Sequence, residues 1–478
     1  MTFDINLHFN STLFKPTDFY STNPPGFEPH PNPIAFDGGR PNNGFYPIES
    51  IQVNLKSKPF DHTISNDPVL ITEVSEDKDH ELDIKTALQY GDAKGSRPLL
   101  NLVDNITQQL HHPKHTLGLD YLLTSGSGDS LTKILQAFLS PGDTILVESY
   151  TYTPIFAPIT TLGGVLIPYK VNFTDGDSIV DINYLGNLLE NWESGEYKHL
   201  RKPKLIYTVP TQNPSGLTQS LRIRKSIYDL AETHDLVILE DDPDSYIKLH
   251  NLESFDNYLA QIKNESYLNL DTAGRVIHFE TFSKLISPGI RLGYIIAIPQ
   301  IIERITKVSK IFTKATSGYS QLIIFNIIKH WAEQINSKDN ISLGYFNWSY
   351  KVSLEYQSRK NLVFSLLSSS KSLAKGYISL VEPDGGMFFI LPVNFPFTSN
   401  NEGNEDYTAE WEKLRLISVK NGVKFILGSL MSFNEKDSQR AKFARITLAN
   451  EDDLNKIEVG VNRLDQSIVE YFEVESQK

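Results

Sequence analysis

Short apolar runs punctuate the middle of the chain and alternate with stretches of helical period. The runs are Leu122-Leu123-Thr124, Thr144-Ile145-Leu146-Val147, Leu205-Ile206-Tyr207-Thr208-Val209, Leu236-Val237-Ile238-Leu239, Val276-Ile277-His278-Phe279 and Tyr294-Ile295-Ile296-Ala297-Ile298. They are apolar at consecutive positions, the pattern of strands covered by helices on both faces. Between them Leu131, Ile134, Leu135, Phe138 and Leu139 recur at i, i+3, i+4, i+7, i+8, and Pro141-Gly142-Asp143 stops the helix. Ile223, Ile227, Leu230 and Ala231 repeat that spacing behind Thr218, the expected N-cap. This alternation, from about residue 100 to 300, predicts an α/β fold with a mostly parallel sheet in three layers.

Beyond about residue 310 the pattern turns helical and then mixed, ending in a helix with Leu454, Ile457, Val461, Leu464 and Ile468 on one face. Residues 1–50, rich in Pro, Asn and Gly, show no period and read as an arm over a folded body. The polar segment from Ser399 to Asp406 reads as an exposed loop. The expected layout is an N-terminal arm (1–50), a large α/β domain (51–315) and a smaller α+β C-terminal domain (316–478).

Composition narrows the partners. The chain has 478 residues, 40% of them hydrophobic and 22% charged, enough for a sizeable core. Lys+Arg is 45 against Asp+Glu 58, a formal charge of −13, which argues against nucleic acid as a partner. With no cysteine, disulfides, thiolate metal sites and cysteine nucleophiles are excluded. No run approaches the roughly 18–20 apolar residues of a membrane span, and Met1-Thr2-Phe3-Asp4 lacks the start of a signal peptide. The expectation is a soluble cytoplasmic protein that binds no membrane.

In open α/β sheets ligands bind at the carboxyl ends of the strands. Ser125-Gly126-Ser127-Gly128-Asp129 follows the first run and leads into a helix, a setting that suits phosphate, although such turns are commonly plain connections. Pro210-Thr211-Gln212-Asn213-Pro214-Ser215-Gly216 follows the third run and shapes a turn in which Asn213 can bond a ligand or merely the backbone. Glu240-Asp241-Asp242-Pro243-Asp244 crowds four carboxylates at a strand end; either they are solvated or one faces a cation. A magnesium site is the rival reading, but no Walker-type lysine accompanies it, and no metal is assigned. Thr281-Phe282-Ser283-Lys284 sets a lysine among hydroxyls at a strand end, with Arg291 seven residues on.

This last block, continued by Pro288-Gly289-Ile290-Arg291-Leu292-Gly293, resembles the signature of the fold-type I pyridoxal-phosphate enzymes, the class I/II aminotransferases. Other segments fall in that family's order: Gln89-Tyr90-Gly91, Thr124-Ser125-Gly126-Ser127, Glu148 with Tyr152, Asn213-Pro214-Ser215-Gly216, Glu240-Asp241, Pro383-Asp384-Gly385-Gly386-Met387-Phe388, and Arg445. The resemblance covers roughly residues 34 to 470. Phe36-Asp37-Gly38-Gly39-Arg40-Pro41-Asn42 is similar to the 2-aminoadipate/kynurenine and aromatic amino acid aminotransferase branch.

The resemblance implies a transaminase that moves an amino group from an aromatic or 2-aminoadipate-type amino acid to a 2-oxo acid such as 2-oxoglutarate. It implies pyridoxal 5'-phosphate and a homodimer. Lys284 would hold the cofactor aldehyde as a Schiff base and then move the substrate α-proton. Asp241 would face the pyridine nitrogen, leaving its acidic neighbours wet. Asn213 would bond the ring hydroxyl and Tyr152 stack on the ring. Gly126, Ser127, Gly128, Thr281, Ser283 and Arg291 would hold the phosphate, with Tyr90 reaching that of the other subunit. Arg445 would take the substrate carboxylate, Asn213 would also border the substrate, and Gly39 and Arg40 would border its side chain.

There are departures. Asp244 stands where many relatives carry a tyrosine on the ring hydroxyl; either Tyr246 substitutes or that bond is missing. Gly128, Leu427 and Tyr150 replace the usual Gln, Pro and Pro. A lyase acting through the same cofactor, or a cofactor-binding protein without turnover, is the alternative. A regulator with a fused winged helix would need a basic segment that the sequence does not show.

Overall fold

The structure, a computed structural model, describes residues 3–10, 30–32, 34, 39–56, 58–59, 64–72, 82–173, 179–396 and 405–476. Phe36, Asp37 and Gly38 of the branch motif, and most of the polar loop expected near residue 400, lie outside the described residues.

Among the described residues twelve strands form three sheets: β1 (Ser50–Lys56), β2 (Ile64–Thr72), β3 (Asp120–Thr124), β4 (Thr144–Glu148), β5 (Val165–Tyr169), β6 (Leu205–Thr208), β7 (Val237–Asp241), β8 (Val276–Thr281), β9 (Gly293–Ala297), β10 (Phe388–Pro392), β11 (Ile426–Leu427) and β12 (Phe443–Thr447). The central sheet runs β3-β9-β8-β7-β6-β4-β5. It is parallel from β5 to β8, while β9 runs antiparallel to both of its neighbours. β1 and β2 pair in an antiparallel ribbon, and β10-β12-β11 make a small antiparallel sheet near the C-terminus. The fold is α/β with a mostly parallel sheet, as the alternation predicts.

Alternate residues of the central strands feed two separate cores. Ile145, Val147, Leu205, Tyr207, Leu239, Ile277 and Phe279 face the helices Ser127–Phe138 and Pro299–Phe312. Leu146, Ile206, Ile238, Val276 and Tyr294 face the opposite layer, which includes Leu102 and Ile106 of helix Arg97–Leu110 and Ile223 and Ile227 of helix Leu221–Thr233. Both faces are dry, which is why these runs do not alternate with polar residues.

Two details differ from the sequence expectation. The helix Leu221–Thr233 is capped by Ser220, whose side chain accepts from Ile223 N, and not by Thr218. Thr218 is still extended, bridged to Thr211, with its N–H donated to Asp384 Oδ2 at 2.9 Å, so the next hydroxyl takes the cap. β5 is a strand that the apolar runs do not announce; Pro168 interrupts it, which an edge position tolerates.

Candidate active site

Three strand ends and the small sheet meet around Lys284. The turn after β8 is held by its apolar residues: Phe282 and Leu285 are buried, Ile286 N bonds Phe282 O at 2.9 Å, and Trp348 Nε1 donates to Leu285 O at 2.6 Å. With those two facing inward, Ser283 and Lys284 are left half-buried on the other side of the turn.

Beside it is an anion cradle. Arg291 Nη2 donates to Ser125 O at 2.7 Å and Nη1 to Ser283 Oγ at 3.4 Å. Thr281 Oγ1 lies 2.8 Å from Ser283 Oγ and accepts from Ser283 N at 3.1 Å. Helix Ser127–Phe138 starts here, and its first N–H groups, on Ser127 and Gly128, have no intrahelical partner. Close approach explains two glycines. A Cβ on Gly126 (φ +99°) would lie 2.5 Å from Arg291 Nη2, and one on Gly293 would lie 2.5 Å from Glu280 O.

Asp241 ends β7. Tyr207 Oη donates to its Oδ2 at 2.7 Å, while Oδ1 is buried without a partner. Burial pushes this carboxyl up to about 7, with Asp244 adding to the rise and Tyr207, His278 and Lys284 opposing it. Tyr207 was not singled out from sequence. It lies opposite Leu239 in the β6–β7 register, so it shares a face with Asp241 two residues on. Strand parity was the one signal that could have found it.

The other acids of the cluster are not wet, which corrects the sequence reading. Glu240 points through the opposite face of the sheet, accepting from Ser266 Oγ at 2.6 Å and Tyr267 N at 3.0 Å, with His278 Nδ1 3.0 Å away. Asp242 accepts from Thr211 N at 3.1 Å, and Asp244 is buried in the turn that follows. Strand alternation and the turn send Glu240 and Asp242 to one neighbourhood and Asp241 and Asp244 to another, so the four charges are divided and stay buried.

The Asn213 turn is fixed from beneath. Gln212 Nε2 donates to Tyr150 O at 2.7 Å, and its Oε1 accepts from Ser215 N at 2.9 Å. Glu148, buried below, accepts from Thr208 Oγ1 at 2.9 Å and Val209 N at 3.0 Å, and burial pushes it up to about 7. Gly216 (φ +72°) presses on the small sheet: a Cβ there would meet Phe388 O at 2.3 Å. The contact brings β12 alongside. Arg445, opposite Ile390 in register, donates Nη1 to Asn213 Oδ1 at 3.0 Å and lies 4.3 Å from the Phe388 ring. Tyr152 lies within electrostatic reach of Asp241, Arg291 and Arg445.

Lys284, Asp241, Asn213, Tyr152, Arg445 and the cradle are thus gathered around one place. Gly39, Arg40 and Tyr90 are not part of it within one chain. All three are exposed, Tyr90 by 69%, and Arg40 and Tyr90 line a separate open groove with Gln89, Lys310 and Lys314. Tyr246 packs into the core, its ring 5.3 Å from that of Tyr345.

Comparisons with known proteins identify the family. Residues 50–399 match the family "Aminotransferase class I and II". The chain is 33% identical over 468 residues to aromatic amino acid aminotransferase 2 of Saccharomyces cerevisiae, covering 92% of this chain and 91% of that one. It is 28% identical over 376 residues to the L-tyrosine:2-oxoglutarate aminotransferase amt1 of Serpula lacrymans, covering 76% and 69%. The solved aminotransferase Aro9 from C. albicans with ligands superposes with a TM-score of 0.88 at 34% identity, covering 99% of both chains. A likeness of fold alone extends to the kynurenine aminotransferase of Pyrococcus horikoshii, at 24% identity and a TM-score of 0.65 over 80% of this chain and 83% of that one. The chain belongs to the class I and II aminotransferases and is an amino acid transaminase.

Proposed function

We propose that the chain uses pyridoxal 5'-phosphate, carried on Lys284, to move amino groups between aromatic L-amino acids and 2-oxo acids such as 2-oxoglutarate. The observation that carries the reading is the buried, unpartnered Oδ1 of Asp241 in electrostatic reach of Lys284. A buried carboxylate oxygen with no donor implies a cationic or N–H group that arrives with a ligand, and a protonated pyridine nitrogen is such a group. The cradle of Arg291, Ser283, Thr281 and the helix start suits a phosphate in charge and donor count. The residues present therefore fit the cofactor.

When bound, pyridoxal phosphate supplies an electron sink for the substrate α-carbon. The chain's own groups do the rest. Lys284 Nζ anchors the cofactor and afterwards moves the α-proton. Asp241, oriented by Tyr207, keeps the pyridine nitrogen charged. Asn213 and Tyr152 would hold the ring, and Arg445 would hold the substrate carboxylate with its planar fork. Arg445→Lys replaces that fork by a point charge, so KM for the amino acid rises on the order of tenfold or more while kcat falls less. Steady-state kinetics with a single donor separates the two effects.

Aromatic donors are favoured by the relatives, the aromatic amino acid aminotransferase of S. cerevisiae and the L-tyrosine:2-oxoglutarate aminotransferase of S. lacrymans. The groove beside Tyr90 and Arg40 fits a homodimer in which a second copy brings these residues to the active site. Arg40 then pairs with the distal carboxylate of a dicarboxylic substrate such as 2-oxoglutarate. A panel of amino acids scored by conversion of the bound cofactor to its amine form tests the donor class. Phenylalanine, tyrosine and tryptophan react fastest if the reading holds. Arg40→Leu lowers kcat/KM for dicarboxylic substrates by about tenfold or more and spares aromatic ones. A parallel fall in both classes, or no change, removes Arg40 from side-chain recognition.

A further inference from the structure

Asp244 is the acid to which the reading above gives no task. It is 3% exposed, and its Oδ1 is buried with no hydrogen-bond partner. The turn uses only its main chain, Ile247 N bonding Asp244 O at 2.9 Å. Gly386 (φ +74°) closes over it; a Cβ there would lie 3.3 Å from its carboxylate. The charged and titratable groups facing it are Lys284 from the turn after β8, Arg445 from β12, Asp241 from the end of β7, and the Tyr356 phenol from helix Ser342–Ser368. Burial raises this carboxyl, and Lys284 and Arg445 pull it back. A carboxyl so enclosed, with two cations in reach and no donor bonded to it, is a local cost of the kind that functional sites retain. Tyr246 cannot share the position, because its ring is fixed in the core against Tyr345.

We propose that Asp244 is a positioning residue whose carboxylate, enclosed with Lys284 and Arg445, holds positive charge on the Lys284 nitrogen. The inference rests on the reading of Lys284 as the carrier of pyridoxal phosphate. In the holoenzyme the Lys284 nitrogen is part of the bound chromophore. A buried anion beside it favours its protonated form, and removing that anion makes the proton leave at lower pH. The same charge gives Arg445 a counter-ion until a substrate carboxylate replaces it.

The test is a pH titration of the visible absorption of the holoenzyme. The midpoint in Asp244→Asn falls by about one pH unit or more relative to wild type, whereas Asp244→Glu stays near wild type. Asp244→Ser, which also removes the charge with less volume, moves the midpoint the same way. Apoprotein melting supplies a second readout. At pH 8 Asp244→Asn melts within a few degrees of wild type, because relief of the unbonded Oδ1 and loss of the anion facing Lys284 and Arg445 oppose each other. A midpoint that is unmoved or raised in both neutral variants overturns the proposal and leaves the cofactor reading standing. So does a lowered melting temperature with an unmoved midpoint, the mark of a purely structural residue. A wild-type protein that takes up no chromophore overturns the cofactor reading and this proposal with it.

Discussion

Lys284→Ala lowers turnover on the order of 10⁴-fold, the largest loss expected of any single substitution in this chain. On the proposed function two tasks fall on one nitrogen: anchoring the cofactor and moving the substrate α-proton. Alanine abolishes both. The loss is chemical and not structural, because Lys284 makes no hydrogen bond among the described residues, while the turn is held by Phe282, Leu285 and Trp348. The variant therefore keeps its melting temperature within a few degrees. It also keeps affinity for the phosphate end of the cofactor, since Arg291, Ser283 and the helix at Ser127 are untouched. Single-turnover kinetics alongside a melting curve separates the two. A variant that unfolds instead would make Lys284 a structural residue.

Asp241→Asn costs on the order of 10³-fold in turnover, because an amide cannot hold a proton on the pyridine nitrogen. The same substitution has the opposite sign for stability. Burial raises Asp241 from an ordinary value near 3.8 to about 7, so between those pH values the folded apoprotein binds a proton that the unfolded chain has released. Stability from this group is present at low pH and is lost as pH rises to about 7. Asn never ionises, so apo Asp241→Asn melts above apo wild type at pH 8 and close to it at pH 4. Adding the cofactor reverses the order at pH 8, since only wild type gains an ion pair. Asp242→Asn is the control. Asp242 accepts from Thr211 N and has Lys248, not Lys284, as its main electrostatic neighbour, so turnover is largely kept and the change appears in melting.

The central sheet was legible because burial on both faces writes itself as unbroken apolar runs, as at Ile145-Leu146-Val147. β5 was not, since Pro168 breaks the run at an edge. The residues gathered around Lys284 were legible by resemblance, because each sits in a short segment with its own signature. What surrounds them was not. Tyr207 reads as one more apolar strand residue until register sets it across from Leu239 and beside Asp241. The acidic cluster reads as solvated because a linear sequence cannot say that Glu240 and Asp242 go to one buried neighbourhood and Asp241 and Asp244 to another. Asp244 stood out only as a missing tyrosine. Its unpartnered oxygen near Lys284 and Arg445 emerges from the fold. Arg40 and Tyr90, exposed in one chain, take on a role only in the proposed dimer.

Lys284 is the residue proposed to carry pyridoxal phosphate. Reducing the holoenzyme with borohydride, digesting it and mapping the labelled peptide tests this directly. A single pyridoxyl group is expected on the peptide containing Thr281-Phe282-Ser283-Lys284, at Lys284 itself; a label on any other lysine, or no label at all, contradicts that assignment.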